Sequence, residues 1–167
     1  MADIQKVSLQ YVVAEDRLAL DTEDAAGVTT RLWLTQRLCR GLVAALDPML
    51  RRVTSIRLPD QPPESAQSWE QVAAMSGFGK IPGVQPREDS VSGLVQTVRI
   101  SPPGGQMTLT FEFGDGGSHD VPLTVTALRQ TLAVMHRLHV EAGWPLDVWP
   151  AWIADPLAQA GGGSAVN

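Results

Sequence analysis

The chain switches between two kinds of hydrophobic patterning, and it does so twice. Residues 7–14 (VSLQYVVA) and 17–22 (RLALDT) are apolar-rich; in the second, Leu18 and Leu20 alternate with Arg17, Ala19 and Asp21. That period of two predicts a half-buried strand. Glu15-Asp16 between them is short enough for a hairpin, although it lacks the favoured Asn-Gly or Asp-Gly. Residues 23–27 (EDAAG) predict a turn and 28–34 (VTTRLWL) a third strand. The period then changes. Leu38, Leu42, Ala45, Leu46 and Met49 fall on one helical stripe behind Thr35, a good N-cap, while Arg37 and Arg40 face away. Pro48 predicts an end to this helix near Leu46, with Asp47-Pro48 opening a new short turn (MLRR) and residues 53–58 (VTSIRL) forming a short strand.

From Pro59 to Ser90 the composition shifts. Five prolines and three glycines bracket one short helix, Ser65 to Ser76, in a long connector. The first pattern then returns. Residues 91–101, 106–113 and 119–125 read as strands, separated by turns at Pro102–Gly105 and Gly114–Gly117. Pro122 places the last strand at a sheet edge or a strand end. Thr124 or Thr126 caps a helix that runs to about Ala142 and is stopped by Gly143, with Leu128, Leu132, Met135, His139 and Ala142 on one face.

Both halves therefore read strand, strand, strand, helix. A shift of 90 residues sets Leu38 on Leu128 and Leu42 on Leu132, while the second strands need a shift of 91. The expectation is an α+β domain over residues 1–157 made of two meander-plus-helix units (βββα-βββα), 4–52 and 91–143. The connector 59–90 joins them, and residues 158–167 form a disordered tail. Each unit has one apolar sheet face and one amphipathic helix, too little to be secure alone, so antiparallel sheets sharing one core are expected. The alternative is a β-sandwich with a helical insertion. In element order, residues 7–142 resemble the head domain shared by the DNA end-joining scaffold proteins and the centriolar cartwheel proteins. That resemblance implies a dimeric scaffold and no enzyme. Where those proteins continue into a coiled coil, Gly143 and Pro145 here stop the helix.

Composition narrows the function. Thirteen basic against eighteen acidic residues argue against general polyanion binding, and no apolar run approaches the ~18 residues of a membrane span. A single cysteine, Cys39, excludes an internal disulfide, and with no secretory leader apparent in MADIQKVSLQ a cytoplasmic location is expected. Arginine outnumbers lysine heavily, as high-GC bacterial codon usage would give. Six arginines and one acid lie between Arg31 and Arg57.

Candidate chemistry is sparse. His136-x-x-His139 places two imidazoles on one helical face, so a metal site would need Cys39, His119 or Asp120 as a further ligand. Ser118-His119-Asp120 has the residue types of a hydrolase triad, but sequence neighbours cannot form its relay. Gly77-Phe78-Gly79-Lys80 lacks the spacing of a phosphate loop. No catalytic residue, metal ligand or cofactor is assigned. The strongest local feature is the run Trp144 to Trp152, three of five tryptophans in nine residues, interleaved with prolines. These rings either fold back on their own domain or pack on a second copy, tryptophan being a favoured interface anchor. The expected function is a non-enzymatic bacterial protein-binding or assembly module, with Trp144, Trp149 and Trp152 as partner-binding residues and a homodimer as the expected form. The alternatives are an arginine-lined phosphate or nucleic-acid site (Arg37, Arg40, Arg51, Arg52, Arg57) and a small metalloprotein using His136 and His139.

Overall fold

The computed structural model describes residues 3–80, 83–102 and 104–160. Strands β1 (Ile4–Val12) and β2 (Arg17–Asp24) form the first hairpin. No glycine sits in its turn. Asp16 instead adopts φ 47°, a left-handed conformation that a short polar side chain tolerates. Its carboxylate accepts the Tyr11 hydroxyl and the Trp144 indole N–H, each at 2.9 Å. The next turn is closed by Asp24, which accepts the backbone N–H groups of Ala26 and Val28, and leads into β3 (Thr29–Leu34).

Helix α1 (Gln36–Arg57) starts where expected, with Thr35 accepting the Leu38 N–H, but it does not stop at Pro48. The break at Asp47-Pro48 and the strand at 53–58 are both corrected by one continuous helix. The reason is the face on which Pro48 falls. Ala44 and Pro48 are both exposed, so the carbonyl that loses its N–H partner turns to water. Leu46, Leu50 and Thr54 meanwhile continue the buried stripe at four-residue spacing. Asp47 is not a cap; it accepts the Arg51 Nε at 2.8 Å and the Trp152 indole at 3.1 Å. Helix α2 (Pro63–Ser76) follows. Next come β4 (Val91–Ile100), β5 (Gln106–Phe113), β6 (Gly117–Thr124) and α3 (Val125–Ala142), capped by Thr124 and ended by Gly143 at φ 68°.

The six strands make one mixed sheet in the order β1-β2-β3-β4-β5-β6, not the separate antiparallel sheets or the sandwich expected. All neighbours are antiparallel except β3 and β4, which pair in parallel from Thr30↔Val91 to Trp33↔Leu94. A parallel neighbour needs a crossover, and α1, α2 and the connector supply it. Gly93 serves this seam, since a Cβ there would lie 2.1 Å from the Phe113 ring. Pro103, in the expected second-half turn, lies outside the described residues.

The sheet is strongly curled. Thr22 on β2 and His119 on β6 are four strands apart, about 19 Å on a flat sheet. Yet Thr22 Oγ1 and His119 Nε2 are 2.8 Å apart. Inside the curl lie the register-matched sets Leu9–Leu20–Leu32 and Ile100–Leu109–Val121, part of a single buried apolar cluster. Helix α3 packs against both edge strands, β1 and β6, and α1 packs against β4. On the outer face of the first meander, Ala19 and Asp21 are buried. The connector crosses that face, with the Val84 N–H donating to Ser8 Oγ and the Arg87 N–H to Thr29 Oγ1.

A second helical layer covers α1 and α3. Helix α2 contacts both of them, and it also contacts α4 (Ala151–Ala154) and α5 (Pro156–Ala160). Helix α5 runs to Ala160, and of the tail expected over 158–167, residues 161–167 lie outside the described residues. Among the described residues no helix is long and apolar enough to cross a membrane.

Candidate binding groove

The tryptophan segment folds onto its own domain. Trp144, Trp149 and Trp152, the expected partner-binding residues, are 6%, 7% and 0% exposed, which leaves little ring surface free. Trp144 packs edge-on against Tyr11 and His139, and Trp149 against His136 and His139. Trp152 lies under the Arg129 guanidinium, 4.9 Å from carbon Cζ to ring centroid.

The histidine pair belongs to this aromatic packing. His139 is fully buried between Trp144 and Trp149, and its Nδ1 lies 2.9 Å from the Met135 carbonyl, so that nitrogen carries the proton. Burial holds the pKa of both His136 and His139 below the usual value. The further ligands once available to a metal are engaged elsewhere. Cys39 is buried, which pushes its thiol up to about 12, His119 bonds Thr22, and Asp120 accepts the Thr110 hydroxyl at 2.6 Å. Among the described residues no group of three His, Cys, Asp or Glu side chains is placed to hold a metal ion.

The arginines do not converge on a ligand either. Arg40 holds Asp147 through two hydrogen bonds of 2.6 and 2.9 Å, which pulls that carboxyl down to about 2. Arg51 bridges Asp47 and Glu64, and Arg57 meets Glu70 at 3.2 Å. These contacts tie α1 to α2 and to the carboxy-terminal segment. Arg37 and Arg52 remain as exposed side chains on α1.

What the structure assembles instead is a groove of about 940 Å³ along the free edge of β1. One wall is β1 itself, with Val7 and Leu9 on the inner face and Ser8 on the outer. The opposite wall is α3, where Ala127, Gln130, Thr131, Val134 and Arg137 follow one another at three- and four-residue spacing. Leu123 and Pro122 of β6 contribute at one side, and Phe78, Gly79 and Lys80 of the connector close one end. Gln130 fixes that end, its amide donating to the Ala74 carbonyl at the close of α2. The sequence signal for this wall is a second stripe on α3 beside the buried one. Reading the helix for a single apolar face passes over it.

Two properties give the groove its chemistry. Among the described residues β2 is the only strand paired with β1, so the backbone groups on its outer edge are open. At the other edge of the sheet, Pro122 fits β6 only where its missing N–H points away from β5, which removes a donor there. The second property is charge. The lining contains Lys80 and Arg137 and no acid, in a chain of net charge −5. Among the described residues neither cation takes part in an ion pair. No protein-family model, no curated protein and no solved structure matches the chain.

Proposed function

We propose that this chain is a protein-binding module that takes an extended segment of a partner protein along β1. The observation that carries this reading is the unpaired edge of β1 facing a helix wall on which Ala127 and Val134 alternate with Gln130, Thr131 and Arg137. An added strand would gain main-chain hydrogen bonds from β1, and its alternate side chains would rest on Leu9, Leu123 and Val134. The arrangement supports a binding role without catalysis, since the buried histidines, cysteine and tryptophans already serve packing. The doubled βββα order fits the same reading as an arrangement of two like units. When a second meander is placed beside the first in the same orientation, its leading strand runs parallel to the last strand of the first, as β4 does beside β3. The outer strands β1 and β6 are then left as edges.

A blocked hexapeptide of alternating valine and glutamine, titrated into ¹⁵N-labelled full-length protein, tests the reading. Amide shifts are expected in β1, in 127–137 of α3 and around 78–80. Shifts confined to the α1–β4 side, where Leu38, Gly41 and Val98 line a smaller cleft of about 390 Å³, would overturn it. Self-association through the same edge is read by sedimentation: a dimer that the peptide dissociates identifies the partner as a second copy.

A further inference from the structure

From the lining of the groove we infer that the partner segment is acidic as well as apolar: a strand of about five residues whose apolar side chains face α3 and whose alternate positions carry carboxylates. This inference rests on the strand-docking reading above and adds the chemistry of the occupant.

Length comes first. Ala127 to Arg137 spans about 15 Å of helix, and Ile4 to Leu9 about 17 Å of strand, which is room for about five extended residues. Alternation follows from the two sides of β1. Helix α3 packs on the side of the sheet to which Val7 and Leu9 point, whereas the connector crosses the other side, where Val84 bonds Ser8. A strand added at this edge therefore sends every second side chain toward Leu123, Ala127 and Val134 and the others toward the connector, which presents Lys80. Arg137, two turns beyond Gln130, lies on the α3 wall instead, and its charge adds to the positive potential of the groove.

Charge then selects among occupants. Both cations are exposed and neither is neutralised by a neighbour among the described residues, while the chain as a whole is acidic. Lys6, also on β1, is by contrast already paired with Glu23 at 2.6 Å. A basic segment is attracted by the molecule as a whole but repelled by the groove lining, whereas an acidic segment is repelled elsewhere and favoured only here. An acyl chain with a carboxylate head would match the apolar wall and one cation, but it would leave the open backbone groups of β1 unmet.

The test uses three blocked hexapeptides, with valine at alternate positions and glutamate, glutamine or lysine at the others, measured by calorimetry on the full chain. The glutamate peptide is expected to bind tightest, by about threefold over glutamine for each carboxylate that finds a cation, and to weaken as salt is raised. Arg137→Glu and Lys80→Glu are at exposed positions, so the fold should persist, which an unchanged melting temperature checks. Each should abolish the preference for the glutamate peptide, the two together should reverse it toward the lysine peptide, and the glutamine peptide should bind unchanged. Equal binding of all three peptides overturns the acidic preference while strand docking stands. Binding of none of them, with no shifts in β1, overturns both. Binding of decanoate with the same shifts, and of no peptide, replaces the protein partner with an acyl ligand and overturns the inference.

Discussion

The interior of this protein is built in two different ways. Inside the curled sheet, Leu18, Leu20, Leu32, Leu34, Leu109 and Phe111 pack as an apolar mass, crossed by one polar contact between Thr22 and His119. Where α1, α2, α3 and α4 meet, burial is polar. Arg129 is 1% exposed and makes no ion pair among the described residues. Its Nη2 donates to Thr54 Oγ1 at 2.8 Å and to Gln67 Oε1 at 2.7 Å, and its plane stacks on Trp152. Gln67 donates onward to the Leu50 carbonyl and Gln71 to the Arg129 carbonyl. Burial pushes the guanidinium down to about 10, so it remains charged at neutral pH. The first region depends on volume and the second on the direction of individual bonds. They should fail differently.

The largest effect is expected where the helical region rests on one side chain. Trp152 is fully buried, supports Arg129 and donates to Asp47. Trp152→Ala should cost about 3–5 kcal/mol in urea unfolding, through the cavity and the loss of the stacking face. A cost below about 1 kcal/mol would mean that the tail is not part of the core.

A sharper contrast comes from conservative changes, one in each region. Arg129→Lys keeps the charge and enough donors, but its shorter side chain stops short of the Nη2 position between Thr54 and Gln67 and has no plane to lie flat on Trp152. It should cost about 2–3 kcal/mol. Leu109→Met nearly conserves volume inside the sheet and should cost less than about 1.5 kcal/mol. If the leucine change proved the more damaging, the two regions would not differ in the way their contacts imply.

The same contrast explains what could be read from the sequence. Thr35, Thr124 and Gly143 announce their helix ends because capping is settled within four residues. Leu18–Leu20 and Met107–Leu109–Phe111 announce strands because a sheet face repeats every second residue. Arg129 announces nothing, since its burial depends on Thr54, Gln67 and Trp152 arriving from three other helices. Pro48 misleads because its tolerance depends on which face of α1 reaches water. The β3–β4 parallel pair, and with it the single curled sheet, is decided by a crossover of more than fifty residues that no local pattern encodes. The groove is hidden for the same reason: Val7, Val134 and Lys80 meet only after the sheet has closed toward α3.

The smallest expected effect separates the regions by pH, because each holds a histidine withdrawn from water, half-buried His119 in one and fully buried His139 in the other. His119 lies within the sheet against Thr22, and His139 lies between Trp144 and Trp149. Burial lowers both from the ordinary 6.5. Above 6.5 both are neutral in the folded and unfolded chain, and their contribution to stability is fully present. As pH falls below 6.5 the unfolded chain takes up protons first, so stability is lost on the way down through the folded values. The limit is about 1.4 kcal/mol per pH unit for each histidine. Asp147, held down to about 2 by Arg40, titrates below this window and does not confuse it. Urea unfolding at pH 7, 6 and 5 should therefore show a declining midpoint, and His119→Asn and His139→Asn should each flatten part of the decline. Equal flattening would mean that the apolar curl and the aromatic bracket exclude the charged imidazole alike. A decline unchanged in both variants would move the titration to other groups, His136 among them, and remove His119 and His139 from the comparison.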